Sequence, residues 1–237
     1  MVRLFYNKFN LLCNIIFIYS FRKVFFMNKC KVCKSSNLKI FFKLGKLIYW
    51  GCNVCGSKFL DPKNYISNSY EKKHYLKHNN SITDSNYKNF LLKLFEPFKN
   101  KISTSDIGLD YGCGFAPALA NIFKSFGFKV ELYDPFFFPN KDVLLKKYKF
   151  ITCSEVVEHF FNPYDEFDKI NNLLDNNSWF GVMTTFLPKD DFFENWYYRR
   201  DPTHVVFYKK ETFQYIAFQR NWQVFFPSEN IVLFYKK

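Results

Sequence analysis

From residue 105 onward, apolar runs of strand length alternate with stretches of helical periodicity. Residues 105–109 form the first such run, ending on Asp110, and 116–126 reads as a helix entered through Gly112 and Gly114. Residues 129–133 close on Asp134, and 150–154 empty into Glu155-Val156-Val157-Glu158-His159. Pro163 suits the first turn of a helix with Phe167, Ile170 and Leu173-Leu174 as its apolar positions. Residues 178–184 predict a further strand, 212–217 a helix, and 222–226 with 231–235 a closing antiparallel pair. This alternation predicts an α/β fold around a mostly parallel sheet. Residues 143–148 are short for a full unit and read as a small helix or an abbreviated strand. Upstream, Phe90, Leu91, Leu94 and Phe95 share one face of a helix over 87–98, while 38–44 and 47–50 read as a hairpin.

The stretch from Ile107 to Ala116 organises this pattern. A strand that turns tightly into a helix needs residues without Cβ, and it leaves backbone N–H groups facing a bound ligand. Asp134 closes the next strand, where an acid can accept hydrogen bonds from a ribose. This ordered set resembles the class I S-adenosylmethionine-dependent methyltransferases, whose cofactor loop follows an acid-x-Gly-x-Gly-x-Gly pattern. Ala116 stands at the third glycine. The resemblance covers residues 87–237 and implies a Rossmann-like, seven-stranded doubly wound sheet with Asp110 and Asp134 at adjacent strand ends. It implies a cofactor site of Asp110, Gly112, Cys113, Gly114, Asp134, Pro135, Phe136, Ser154 and Glu155. Tyr70, Tyr75 or Tyr87 would cap the methionine portion.

The cysteines add a second module. Cys30-x-x-Cys33 and Cys52-x-x-Cys55 are separated by 18 residues, a spacing that suits one tetrahedral zinc held by four thiolates. Four thiolates leave no open position, so the metal would be structural. The organisation is then 1–26, a wrongly included extension or an apolar membrane-associated lead; 27–60, a four-cysteine zinc ribbon; 61–86, a linker with short helices; and 87–237, the methyltransferase domain. No convincing export signal or membrane span stands in the sequence, which implies a cytoplasmic protein, with the inner face of a membrane as a second placement.

Charge changes the picture only at one end. The chain of 237 residues carries a formal net charge of +13, and its first hundred residues hold 18 of the 34 Lys/Arg but 4 of the 21 Asp/Glu. Such a basic front attracts nucleic acid, phosphorylated substrates or acidic membranes. The ribbon aromatics Phe41, Phe42, Tyr49 and Trp50 would suit stacked bases, giving an RNA or protein methyltransferase as one alternative. A degenerate, non-catalytic binding module is another. The leading expectation is a small-molecule or lipid- or sugar-linked precursor as acceptor. Methyl transfer to oxygen or nitrogen needs a proton acceptor, and His204 and His159 both fall in loops at the reactive sheet edge. Glu158 would orient either ring, or His204 would simply hold the Asp201 loop. The run from Phe192 to Val205 supplies Tyr198, Arg199, Arg200 and Asp201 for an anionic acceptor. His74 reads as a surface residue.

Overall fold

The computed structural model describes residues 28–77 and 84–237, so the expectation for 1–26 lies outside the described residues. The described chain opens with β1 (Leu38–Leu44), β2 (Leu47–Cys52) and β3 (Lys58–Leu60), an antiparallel ribbon with β1 between the cysteine pairs and β3 just after the second. Next come α1 (Asn68–Tyr75), α2 (Ser85–Lys99), β4 (Ile107–Tyr111), α3 (Ala118–Ser125) and β5 (Lys129–Tyr133). The second half supplies β6 (Tyr148–Ser154), α4 (Pro163–Leu173), β7 (Leu174–Met183), β8 (Val206–Phe207), α5 (Lys210–Arg220), β9 (Trp222–Ser228) and β10 (Ile231–Lys236).

The main sheet runs β5-β4-β6-β7-β10-β9, with the first four strands parallel and the last two antiparallel to their neighbours. It has six strands among the described residues, where seven were expected. Chain length explains the difference. Only residues 134–147 separate β5 from β6, whereas each parallel crossover takes about a dozen residues or more. That segment holds Pro135, Pro139 and a single 3-10 turn at Asp142–Leu145, leaving β5 as the sheet edge. Asp110 and Asp134 do lie at adjacent strand ends, since β4 and β5 pair from Ile107↔Lys129 to Tyr111↔Tyr133.

The sheet is buried on both faces. One face packs on α2 and α3 through Leu94, Phe95, Phe98, Phe123 and Phe150, and the other on α4 and α5 through Phe167, Phe180, Phe213 and Phe234. The second of these cores continues without a break into the ribbon through Tyr208, Phe207, Phe59, Tyr49 and Cys52. Strand β8 belongs to the ribbon sheet rather than the main one, pairing Phe59↔Val206 and Lys58↔Phe207. The ribbon is therefore completed by a strand from residue 206 onward. No helix among the described residues is long and apolar enough to cross a membrane.

Candidate functional site

The carboxyl ends of β4, β5 and β6 open into one cavity of about 720 Å³, within the range of small-molecule sites, roughly 300–1,000 Å³. Its floor at one end is the glycine loop. Gly112 and Cys113 donate their N–H groups to the Tyr133 carbonyl, and Gly114 N–H donates to Asp134 Oδ2 at 3.1 Å. Asp134 Oδ1 accepts from the N–H groups of Phe136 and Phe137 at 2.8 and 3.0 Å. The carboxylate thus ties two loops together, and Oδ2 keeps the lone pair that can serve a ribose hydroxyl. Pro135, Phe136, Cys113, Ser154 and Glu155 line the same cavity.

Asp110 has a different place. It is 3% exposed and lies beneath the loop rather than in the lining. Thr152 donates to it at 2.9 Å, and it accepts from the Ala120 backbone in the first turn of α3. That helix has no side-chain cap of its own, so Asp110 supplies the missing acceptor from across the turn. Burial pushes its pKa up to about 6, against the Thr152 and Ala120 hydrogen bonds.

The far end of the cavity carries His159, His204 and Asp201. His204 Nδ1 donates to the Tyr198 carbonyl at 2.7 Å, and His159 Nδ1 to the Thr203 carbonyl at 3.1 Å. The rings meet edge to face, 4.7 Å between centroids. Burial, reinforced by His159, lowers the His204 pKa to about 4, so its ring is neutral near pH 7. Glu158 lies fully buried behind them, accepting from Thr184 at 3.0 Å and from the Tyr198 hydroxyl. Burial raises the pKa of both Glu155 and Glu158. Asp201 goes the other way, to about 2, because hydrogen bonds from Thr203, the charge of His204 and a bond from His74 overcome its burial.

The roof is α1. Its Asn68, Glu71 and Tyr75 line the cavity, a spacing of three and seven that marks one helix face and was readable in the sequence. Tyr75 donates to Glu71 at 2.6 Å and meets His159 edge-on at 5.3 Å. His74, expected at the surface, pairs with Asp201 at 3.1 Å and pins this helix to the loop below. Tyr75 and Tyr87 line the cavity; Tyr70 is exposed.

The two arginines do not reach the cavity lining. Arg199 is 8% exposed, donates to the Phe193 and Glu194 carbonyls at 3.1 and 2.7 Å, and sits over the Phe42 and Tyr49 rings of the ribbon. Arg200 is exposed, and Tyr198 serves as a buried hydrogen-bond hub. The ribbon aromatics face inward: Phe41, Phe42 and Tyr49 surround Phe193 at 5.0 to 5.6 Å, and Trp50 donates to Asp61 at 2.9 Å.

The four ribbon thiols converge within 4.8 Å of one another. Cys30 and Cys55 lie 3.7 Å apart, Cys33 and Cys52 3.6 Å. Thiolates on a tetrahedral ion at about 2.3 Å lie ~3.8 Å apart, so this donor set fits zinc. Lys34 and Gly56, each directly after its pair, both take left-handed backbone and close equivalent turns.

A methyltransferase domain family matches residues 80–225. The chain belongs to that family. With its glycine loop and parallel sheet it is a class I S-adenosylmethionine-dependent methyltransferase. A comparison with curated proteins finds no match. Similar solved structures include the YcgJ protein of Bacillus subtilis, 17% identical over 58% of this chain and 70% of that one, with a TM-score of 0.43. A methyltransferase of Methanosarcina mazei is 9% identical over 59% and 96%, TM-score 0.44. Phosphoethanolamine N-methyltransferase 2 of Haemonchus contortus, with S-adenosyl-L-methionine, is 16% identical over 71% and 48%, TM-score 0.46.

Proposed function

We propose that the chain transfers the S-adenosylmethionine methyl group to a small molecule or lipid- or sugar-linked precursor held at the His159–His204 end of the cavity. The supporting observation is continuity. One cavity is lined by the glycine loop and Asp134 at one end and by His159 and His204 at the other, with α1 closing over both. The cofactor supplies an electrophilic methyl; the protein aligns the acceptor, excludes water and takes up its proton. Asp134 Oδ2 holds the ribose and Phe136 lines the adenine. His204, neutral and oriented by the Tyr198 carbonyl, promotes loss of the acceptor proton. The ribbon holds one structural zinc through Cys30, Cys33, Cys52 and Cys55.

The packing of Phe41, Phe42 and Tyr49 on Phe193 favours this reading over an RNA methyltransferase that stacks bases on the ribbon. Calorimetry tests the cofactor half. Asp134→Asn places an amide donor against the Gly114 N–H or the Phe136 and Phe137 N–H groups, so cofactor affinity should fall at least ~10-fold. Labelled cofactor incubated with cell extract, split into nucleic acid, protein, lipid and small-molecule pools, tests the acceptor. Label in the lipid or small-molecule pool supports the reading; label confined to RNA overturns it. His204→Ala should lower turnover at saturating acceptor while cofactor affinity holds.

A further inference from the structure

We propose that Glu158, His159 and His204 form a site for one divalent first-row transition cation, open toward the acceptor end of the cavity. The inference rests on the reading that this end receives the acceptor. Donor atoms of Glu158, His159 and His204 all lie within 4.8 Å of one another, with His159 Nε2 4.0 Å from Glu158 Oε1. Ligands on a common ion at about 2.1 Å are at most ~4.2 Å apart, so the triad needs to contract by only a few tenths of an ångström.

The outer contacts are those a metal site uses. Each imidazole donates Nδ1–H to a backbone carbonyl, Thr203 for His159 and Tyr198 for His204, which fixes the orientation of both rings as outer partners do in metal sites. Glu158 is oriented by the Thr184 and Tyr198 hydroxyls. Glu155 Oε1 is shielded from solvent and has no hydrogen-bond partner among the described residues. Lys169, which also lines the cavity, is paired with Glu166. A buried carboxylate pair beside two imidazoles is stabilised by protons or by a cation.

The donor set selects the ion class. Imidazole nitrogens with carboxylates suit manganese, iron, cobalt, nickel or zinc, whereas magnesium and calcium favour oxygen alone. Three protein ligands leave open positions on a six-coordinate ion, on the side where His159 and His204 line the cavity. A hydroxyl oxygen of the acceptor fits there. Bound to the cation, it gives up its proton to solvent or Glu155; its lone pair forms the O–CH3 bond while the S–CH3 electron pair stays on sulfur. The products are a methyl ether, a neutral thioether and one proton.

Manganese(II) alone is the probe, because it avoids the thiolates of the ribbon. Titration followed by electron paramagnetic resonance should show one bound ion per chain. Enhanced relaxation of water protons should show that coordination positions are open. Paramagnetic broadening in the unmodified protein should strike the His159 and His204 ring signals first. Glu158→Gln keeps an acceptor for Tyr198, and His159→Asn is a second variant; each should weaken manganese at least ~10-fold. Cofactor affinity and ribbon zinc content should hold in both. Absence of a bound ion in the unmodified protein, broadening elsewhere, or variants that bind as tightly would each overturn the proposal. Cofactor binding without manganese binding would do so while leaving the proposed function standing.

Discussion

Replacing Gly112 with alanine separates two demands that the glycine loop places on its glycines. Gly112 has φ +85°, and a Cβ there would lie 2.6 and 2.7 Å from the two Cγ atoms of Val156. Gly114 has φ +65° and no atom within 4 Å of the added Cβ. Left-handed backbone costs a non-glycine residue about 1–2 kcal/mol, and both variants carry that. Overpacking adds about 1–3 kcal/mol, and only Gly112→Ala carries it. A β-branched side chain has little freedom at χ1, and with both methyls in contact rotation cannot clear the clash. Gly112→Ala should therefore lose about 2–5 kcal/mol and Gly114→Ala about 1–2. At ~2–4 °C per kcal/mol for a chain of this size, thermal unfolding should show drops of roughly 4–20 °C and 2–8 °C. Adding Val156→Ala should recover the steric share in Gly112→Ala and nothing in Gly114→Ala. Equal losses in the two single variants, or no recovery in the double, would refute the reasoning.

Cys52→Ser should abolish zinc binding by the ribbon, and metal analysis should fall from about one ion per chain to near none. Arg199→Ala removes a buried guanidinium from two carbonyls and three aromatic rings; it should cost about 2–4 kcal/mol in denaturant unfolding, while Arg200→Ala costs under ~0.5. An acceptor KM that rises with Arg199→Ala at unchanged stability would restore it as a substrate residue. Asp110 carries a folded pKa of about 6 against about 3.9 unfolded. The native state then binds the extra proton, so this group's contribution to stability falls as pH rises from about 4 through 6. Asp110→Asn should remove that fall, by at most ~3 kcal/mol, from unfolding measured across this window; an unchanged slope would contradict the raised pKa.

The strands of the main sheet were legible because each is a short apolar run closed by an acid, glycine or turn. The missing strand was half legible: residues 143–148 looked too short for a unit, yet the family likeness supplied seven strands. The glycine-loop end of the cavity was readable because glycine and aspartate at fixed offsets from a strand have few other uses. The acceptor end was harder. Glu158, His159 and His204 meet only because β8 returns to the end of β6, where Val205 N–H donates to the Glu158 carbonyl. Nothing local in the sequence announces that return. Arg199 misled for a related reason: a guanidinium flanked by tyrosines reads as an anion site, and only tertiary packing shows it covered by the ribbon.

That return gives the ribbon a role in the site. Leu60 N–H donates to the Val205 carbonyl, Phe59 pairs with Val206, and Phe193 is wedged among ribbon and β8 rings. His204 precedes Val205 by one residue, so the strand that carries it is clamped between β3 and the Glu158 turn. Two residues, Gly56 and Ser57, link the second cysteine pair to β3, with Ser57 touching Cys30 and Cys55 on the way. A ribbon of this length without a metal rarely buries enough surface to hold its shape. Its four-thiol site is therefore coupled to the position of an imidazole through a continuous run of backbone hydrogen bonds. Chelating the ribbon metal should loosen His204 before it disturbs the glycine loop, which is built on β4 and β5. Hydrogen exchange should show this order: faster exchange at Leu60 and Val205 on chelation, with Gly114 and Phe136 protected as before. Simultaneous loss of protection at all four would mean that the ribbon stabilises the whole chain and has no particular hold on the acceptor end.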